Sequence, residues 1–567
     1  VIQIFTKKGA TGAPRWTAEV TAGFNNIGHV GPKSDPTGMW LNRCRGDGLV
    51  SYDGRVFEDP TCPASGSWLR NAPVQSYALS VSGGLENVTY YLSGNFSDEQ
   101  NVVEGAGGSK GGGFLGNFSF RPFAGTEVSL NTSLTRRETE WLPSGDNGDA
   151  FMLNVTRGFG SNFTGATGCK NPEAICVGNG ALLTADNTSR STHFVTGFTV
   201  QHRLGERITN RLSIGYDYNN SEIESIRPFG YPRFPVGDMT VRDWRQTLFS
   251  IDYVGSFDHT FRGSLTSTFS WGGQLFADDS RTITMTAEEF AGPGKPTLQS
   301  AARRSVSSDN RQRVVNAGFF LQEAVGWKDR LFVTAGLRVD GNSAFGSDFG
   351  LQAYPKLMAS YVVSDNEFWP FEWWEALKVR AAIGESGRAP GAFDAVRTWD
   401  PIAGDDGQAG FTPGQLGNPK LGPERSREIE AGFEAGLFGG RVGIDFTYYN
   451  QRTFDALIPV RFPPSQGFLS TQLENVGEIK NTGVELRLDV DLIRRPNFAW
   501  SGRLDYATVN SEAVDLGGEV ITVQTFGRTY IREGYPVPAI FGEKIINPNE
   551  YADPIIVRDT FIGSAYP

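Results

Sequence analysis

Four long runs of two-residue alternation between Glu428 and Tyr506 leave this chain few folds to choose from. In the first, Ile429, Ala431, Phe433, Ala435 and Leu437 alternate with Glu428, Glu430, Gly432, Glu434 and Gly436. After Phe438-Gly439-Gly440, Val442, Ile444, Phe446 and Tyr448 alternate with Arg441, Gly443, Asp445 and Thr447. Further on, Val484, Leu486, Leu488, Val490 and Leu492 alternate with Glu485, Arg487, Asp489 and Asp491. Phe498, Trp500, Leu504 and Tyr506 then oppose Ser501, Arg503 and Asp505. Side chains alternate faces along a strand, so each run has an apolar and a charged face. Soluble strands average roughly 5–6 residues. These runs are about twice that, which suits a tilted strand crossing a bilayer in roughly 9–11 residues. The pattern predicts a membrane β-barrel, apolar toward lipid and polar toward the lumen, over a large soluble sandwich or propeller.

The connections give a second, independent signal. Strands are expected at Arg15–Phe24, Ser76–Gly84, Asn87–Ser97, Gly113–Arg121, Glu127–Arg136, Phe194–Arg203 and Arg207–Asn219. More are expected at Gln246–Phe257, Arg262–Phe276, Gln312–Trp327, Leu331–Asp340, Tyr354–Val363 and Ala376–Gly384. With the four runs above this makes roughly seventeen, and Ile540–Ile546 could add one. Short turns alternate with long loops, such as Arg137–Thr192, Asn220–Arg245 and Ala277–Asn310. Outer-membrane barrels have this asymmetry. A propeller would instead repeat every 40–50 residues or so, and no such period is seen. Trp271, Trp327, Trp369 and Trp500 fall where interfacial girdles would put aromatics.

Composition agrees. A single soluble core rarely exceeds roughly 250–300 residues, and this chain has 567. No stretch approaches the roughly 20 apolar residues of a spanning helix. A net charge of -11 argues against a nucleic-acid partner. Cys44 with Cys62 and Cys169 with Cys176 form two local pairs in Gly/Pro/Asn-rich stretches. Two loop-closing disulfides in an oxidising compartment are expected, with four free thiols as the alternative. The Gly105–Gly113 stretch lacks phosphate-loop spacing and reads as a flexible loop. The histidines (His29, His193, His202, His259) show no metal-ligand spacing, and no nucleophile elbow appears. Neither catalysis, a cofactor nor a metal is expected.

Two sets of residues are candidates for handling a solute. Trp141, Phe229, Tyr231, Phe234, Trp244 and Trp399 lie in expected long loops and could stack on sugars or peptides, though loop packing is the more ordinary role for each. Glu428, Glu430, Glu434, Arg441, Asp445, Glu485, Arg487 and Asp489 share the polar faces and would line the lumen. They suit either a wall held by ion pairs, facing water or a plug inside the barrel, or a path for a polar solute, and both can hold.

Several segments, in order, resemble the TonB-dependent outer-membrane transporters, in particular the SusC/RagA-like branch. They are Val1-Ile2-Gln3-Ile4-Phe5-Thr6-Lys7-Lys8-Gly9, Phe345-Gly346-Ser347 through Tyr354-Pro355-Lys356, Leu377 to Gly387, and Asn418-Pro419-Lys420-Leu421-Gly422-Pro423-Glu424. Asn475-Val476-Gly477-Glu478-Ile479-Lys480-Asn481-Thr482-Gly483-Val484-Glu485 and Arg532-Glu533-Gly534-Tyr535-Pro536-Val537 complete the set. The resemblance implies a barrel of about 22 strands when intact, with a plugged lumen. Residues 1–9 would be the end of the plug, and 10–567 the barrel with its C-terminal strands missing. It implies active import of an oligosaccharide or peptide, energised by the TonB-ExbB-ExbD complex, with a SusD-like surface lipoprotein as lid. A siderophore or cobalamin receptor of the same fold, or a passive porin or adhesin, are the alternatives.

Overall fold

The structure is a computed structural model that describes residues 7–26, 70–144, 149–150, 183–231, 234–261, 263–522, 529–547 and 555–564. The opening Val1–Thr6 segment and all four cysteines lie outside the described residues, and the expected disulfides with them. Among the described residues the fold is all-β, and no helix is long and apolar enough to cross a membrane. Eighteen strands belong to one sheet. The chain divides into two compact units: residues up to His202 with Leu212–Ile251 and Ala277–Arg313, and Arg203–Arg211 with Asp252–Phe276 and everything from Val314.

The first unit begins with an antiparallel meander of β1 (Gly12–Asn25), β2 (Ala72–Leu85), β3 (Val88–Glu99), β4 (Ser109–Phe120), β5 (Thr126–Glu140) and β6 (Asp186–Leu204). Register aligns like with like. Ala18, Leu79, Gly94, Phe114, Leu134 and Phe194 are successive cross-strand partners and form one apolar row. A one-residue slip would turn that row to the other face, so the alternation itself fixes the register. The Gly-rich stretch is not simply a loop, because Gly111, Gly112 and Gly113 are ladder residues of β4. There a side chain on Gly111 would strike the backbone of Arg136 and Arg137.

β7 (Ile208–Arg227), β8 (Asp238–Phe261), β9 (Leu265–Phe290) and β10 (Ala301–Trp327) are far longer than the alternation indicates. The 27 residues of β10 span roughly 90 Å at about 3.3 Å each. An apolar band about 25 Å tall uses only part of that length. The expected loops Asn220–Arg245 and Ala277–Asn310 are therefore largely strand, and the chain turns over only between Phe290 and Ala301 in the latter. Sequence missed them because Ala301–Arg313 carries Arg303, Arg304, Asp309, Arg311 and Arg313 with no apolar face. A strand that is wet on both sides has no reason to alternate. The first unit secures these ends with a small core of Ile226, Met239, Val241, Ala287, Phe290 and Ala301.

In the second unit the meander runs from β10 through β11 (Leu331–Asn342), β12 (Gln352–Val362), β13 (Trp374–Arg388), β16 (Glu424–Leu437), β17 (Val442–Val460), β18 (Gln472–Arg495) and β19 (Phe498–Ala507). β14 (Thr398–Ala403) and β15 (Ala409–Gln415) form a separate hairpin between β13 and β16. β20 (Asn510–Asp515) pairs with the start of β18. The Ile540–Ile546 segment is a strand, but not of the main sheet. It is β23 (Ala539–Ile545), in a four-stranded sheet with β21 (Ile521–Thr522), β22 (Thr529–Ile531) and β24 (Ile556–Ser564).

One row crosses eight strands of this unit: Trp327, Leu331, Tyr361, Val379, Phe433, Phe446, Leu486 and Tyr506. Its members are partly or largely exposed, and Val442 and Ile444 beside it are likewise partly exposed. Large apolar patches left bare to water are rare. A continuous apolar face of this kind suits hydrocarbon. Short turns close one end of each hairpin. Phe438, Gly439 and Gly440 all take positive φ, a conformation that glycine adopts without strain. Trp373 stacks on Phe438 with ring centroids 5.7 Å apart, and Trp369 and Trp374 meet edge to face at 5.2 Å. Of the four tryptophans expected in an aromatic girdle, Trp327, Trp369 and Trp500 lie at or beside strand ends, whereas Trp271 sits within β9.

Candidate functional site

The opposite face of the second unit is charged. A second register row carries Lys378, Glu434, Asp445, Arg487 and Asp505 on β13, β16, β17, β18 and β19. Glu434 and Asp445 are direct cross-strand partners, and like charges so placed repel. Arg380 resolves the conflict. Its own partner on β16 is Gly432, which offers no side chain, so the guanidinium reaches across to β17. It donates to Glu434 Oε1 at 2.7 Å, to Asp445 Oδ1 at 2.7 Å and to Thr447 Oγ1 at 2.6 Å. Lys378 adds a 3.2 Å contact to Glu434. Farther round, Arg487 donates to Asp505 at 2.8 Å and Arg503 to Asp489 at 2.6 Å. Glu428 accepts from Gln451 at 3.0 Å, and Gln451 accepts from Asn481 at 3.2 Å.

Of the eight wall residues expected from sequence, Glu428, Glu430, Glu434, Asp445, Glu485, Arg487 and Asp489 lie in the ladders of β16, β17 and β18. Arg441 does not: it occupies the turn before β17, where its carbonyl accepts from the Asp491 N–H at 2.8 Å. Alternation continued by one residue too many there, because the Gly439-Gly440 turn closes one position later than the pattern suggests. Sequence reasoning passed over the residues that organise the wall, Lys378 and Arg380, and also Arg338, Asp340 and Lys356. All share the even parity of β11–β13, opposite Leu337, Leu357 and Val379. The same alternation would have found them.

The polar face of the first unit is mostly neutral. Thr199 and Ser213 hydroxyls meet at 3.1 Å, and His193 Nε2 lies 2.8 Å from Asp217. A recess of about 340 Å³ is lined by Asn117, Asn131, Ser133, Thr196 and Ser250 among others. The Asn117 amide is buried and donates to the Lys7 carbonyl at 2.7 Å, so the segment preceding β1 lies against this polar face.

The six loop aromatics divide. Tyr231 is 1 % exposed and forms a bridge with Phe234, on whose ring the Arg227 guanidinium lies at 4.2 Å. Arg227 also binds Asp149 at 2.9 Å and Asp238 at 2.8 Å. Burial pushes the Asp238 carboxyl above its ordinary range, against the pull of Arg227. Tyr231 is thus packed away from solvent, and Phe234 is partly buried beside it. Trp244 is not in a loop at all but inside β8. Trp141, Phe229 and Trp399 remain exposed, and Trp399 packs against Phe468 at 5.8 Å.

These features have counterparts in known proteins. Residues 129–540 match the family described as TonB dependent receptor-like, beta-barrel. TonB-dependent receptor P26 of Formosa agariphila is 25% identical over 534 residues, covering 86% of this chain and 51% of that protein. TonB-dependent receptor SusC of Bacteroides thetaiotaomicron is 22% identical, covering 91% of this chain and 54% of SusC. The chain thus spans about half the length of these relatives. Among solved structures, the RagAB peptide transporter superposes with a TM-score of 0.78 at 17% identity, covering 95% of this chain and 66% of that one. The bare apolar rows, the ion-paired face behind them and the match over most of the chain have one reading: this protein belongs to the TonB-dependent receptor β-barrel family of the bacterial outer membrane.

Proposed function

We propose that the intact protein actively imports an oligosaccharide or peptide nutrient across the outer membrane. The observation that carries this reading is the two-faced wall. Its outer rows are apolar and uncovered, while its inner row, Lys378 to Asp505, holds charges that only water or a polar occupant would tolerate. Relatives named as TonB-dependent receptors and a fold shared with a peptide transporter support the class.

In this reading, residues 1–9 end a plug domain and 10–567 form barrel. The Lys7 carbonyl held by Asn117 against the polar face of β4 supports that division, since a plug must hand over to the barrel from inside. TonB-ExbB-ExbD would supply the energy, and a SusD-like surface lipoprotein would cap the solute. Exposed Trp141 and Phe229, with Trp399 on the β14–β15 hairpin, are the aromatics left to meet it, and Glu428, Glu430, Glu434, Asp445, Glu485, Arg487 and Asp489 form the wet wall.

The test is uptake of labelled oligosaccharides and peptides by cells carrying the full-length gene, with and without functional TonB. Uptake should need both the gene and TonB. Uptake that persists undiminished without TonB would make the protein a passive pore.

A further inference from the structure

β12 and β13 part company partway along their length, and the parting has a cause in sequence. The β11–β12 ladder runs unbroken through Leu337 opposite Pro355 as far as Asp340 opposite Gln352. Proline has no N–H to give, so an intact ladder on that side places the missing donor on the side of β13. There the ladder stops at Lys356 opposite Gly384, one residue short of Pro355. β13 itself continues to Arg388 and stays paired with β16 through Glu424. Gln352–Pro355 and Glu385–Arg388 therefore face each other unzipped.

The gap opens into a recess of about 560 Å³, within the 300–1,000 Å³ range of small-molecule sites. Phe320 and Tyr354 supply aromatic surface, and Gln322 and Ser386 supply an amide and a hydroxyl. Tyr354 rests where any side chain on Gly387 would stand. Arg425 Nη2 donates to the Ala353 carbonyl at 2.8 Å, satisfying an acceptor at the unzipped edge.

The charges are unequal. Arg338 is chelated by Asp340 at 2.8 and 2.9 Å and donates to Gln274 at 3.1 Å. Glu385 is claimed by both Arg425, at 3.1 Å, and Arg427, at 2.6 Å. Lys356, whose stem lies across Gly336, has no ion-pair partner among the described residues. Of the four charged residues that line the recess, Arg338 and Asp340 thus satisfy each other and Glu385 is held by two arginines outside the lining, which leaves the Lys356 ammonium as its one uncommitted charge.

We propose that this recess is a subsite for an acidic sugar unit of the imported solute, its carboxylate on Lys356 and its ring face on Tyr354 or Phe320. Flat aromatic surface beside amide and hydroxyl donors suits a pyranose, and the uncommitted Lys356 ammonium selects a uronate over a neutral hexose. This rests on the importer reading above.

Binding of trigalacturonate, of maltotriose and of a tri-aspartate peptide to the full-length protein in detergent would test it, beside cellular uptake of the same probes. Lys356→Gln should weaken trigalacturonate about ten- to hundredfold and leave maltotriose unchanged, the loss expected for one charged hydrogen bond. Lys356→Arg should restore most of it. Unchanged trigalacturonate affinity in Lys356→Gln, equal loss of both sugars, or wild-type preference for the peptide would each overturn the subsite. Such results with TonB-dependent uptake intact would leave the importer standing. Binding that follows charge without TonB-dependent uptake of any probe would overturn the importer instead.

Discussion

The polar faces of the two units solve one problem with different chemistry. In the first unit, Ser80, Ser93, Asn117 and Ser133 take the inward parity, and pairs such as Thr199–Ser213 are neutral. In the second, the same face carries Lys378, Arg380, Glu434 and Asp445 in a connected ion-pair network, with Arg487 paired to Asp505 beside it. Alternation demands only that one face be polar. What kind of polar group stands there is left free, and so can follow the solute. Hydroxyl pairs are locally self-sufficient, whereas the charged wall depends on a few residues that each serve several partners.

The contrast between outward and inward faces should give the largest effect. Phe446→Arg puts a charge on the apolar row beside Phe433 and should cost about 2–4 kcal/mol of folding free energy in bilayers. Ser93→Arg, on the neutral inward face, should stay within about 0.5 kcal/mol. Folding into lipid vesicles, followed by heat-modifiable gel mobility, reads both. Equal tolerance would mean that the Phe446 row does not meet lipid.

Next comes Arg380→Met, which leaves Glu434 and Asp445 facing each other with only Lys378 to offset them. Deleting one partner of a buried pair costs roughly 3–5 kcal/mol. The Arg380 side chain is 30 % exposed, so solvent screening should reduce this to about 1–3 kcal/mol. Urea unfolding in vesicles measures it. A loss that shrinks when Glu434→Gln is added would confirm that the repulsion is its source.

A smaller effect is expected in the neutral wall. Thr199→Val with Ser213→Ala removes both members of a hydroxyl pair and should change stability by less than about 1 kcal/mol by the same measurement, since neither leaves an orphan. A cost matching that of Arg380→Met would erase the distinction between the walls.

The smallest concerns the wet outer strands. Arg281 donates to Asp309 and holds its carboxyl below the usual aspartate range. A depressed folded-state value means that the contribution is present above the ordinary aspartate pKa, and is lost as pH falls through the lowered one. Both side chains are open to solvent, so hydrogen exchange near Asp309 should rise only slightly at acid pH. Asp309→Asn should abolish that rise.

Much of this was legible beforehand. The apolar rows, the short Gly-Gly turn and seven of the eight wall charges follow from parity alone. What escaped were features with no two-residue signature: the outer reaches of β9 and β10, the turn position of Arg441, and the packing that buries Tyr231 while leaving Phe229 exposed.

The sequence by itself determined which residues face out and which face in, because side-chain direction along a strand depends only on immediate neighbours. Tertiary structure alone decided which charge meets which. Arg380 joins Glu434 to Asp445 across 54 and 65 residues of chain, and only strand order and register bring them together. It also decided what Pro355 would do. A proline in a strand removes one donor wherever it stands, but only the pairing partners determine on which side the wall comes apart.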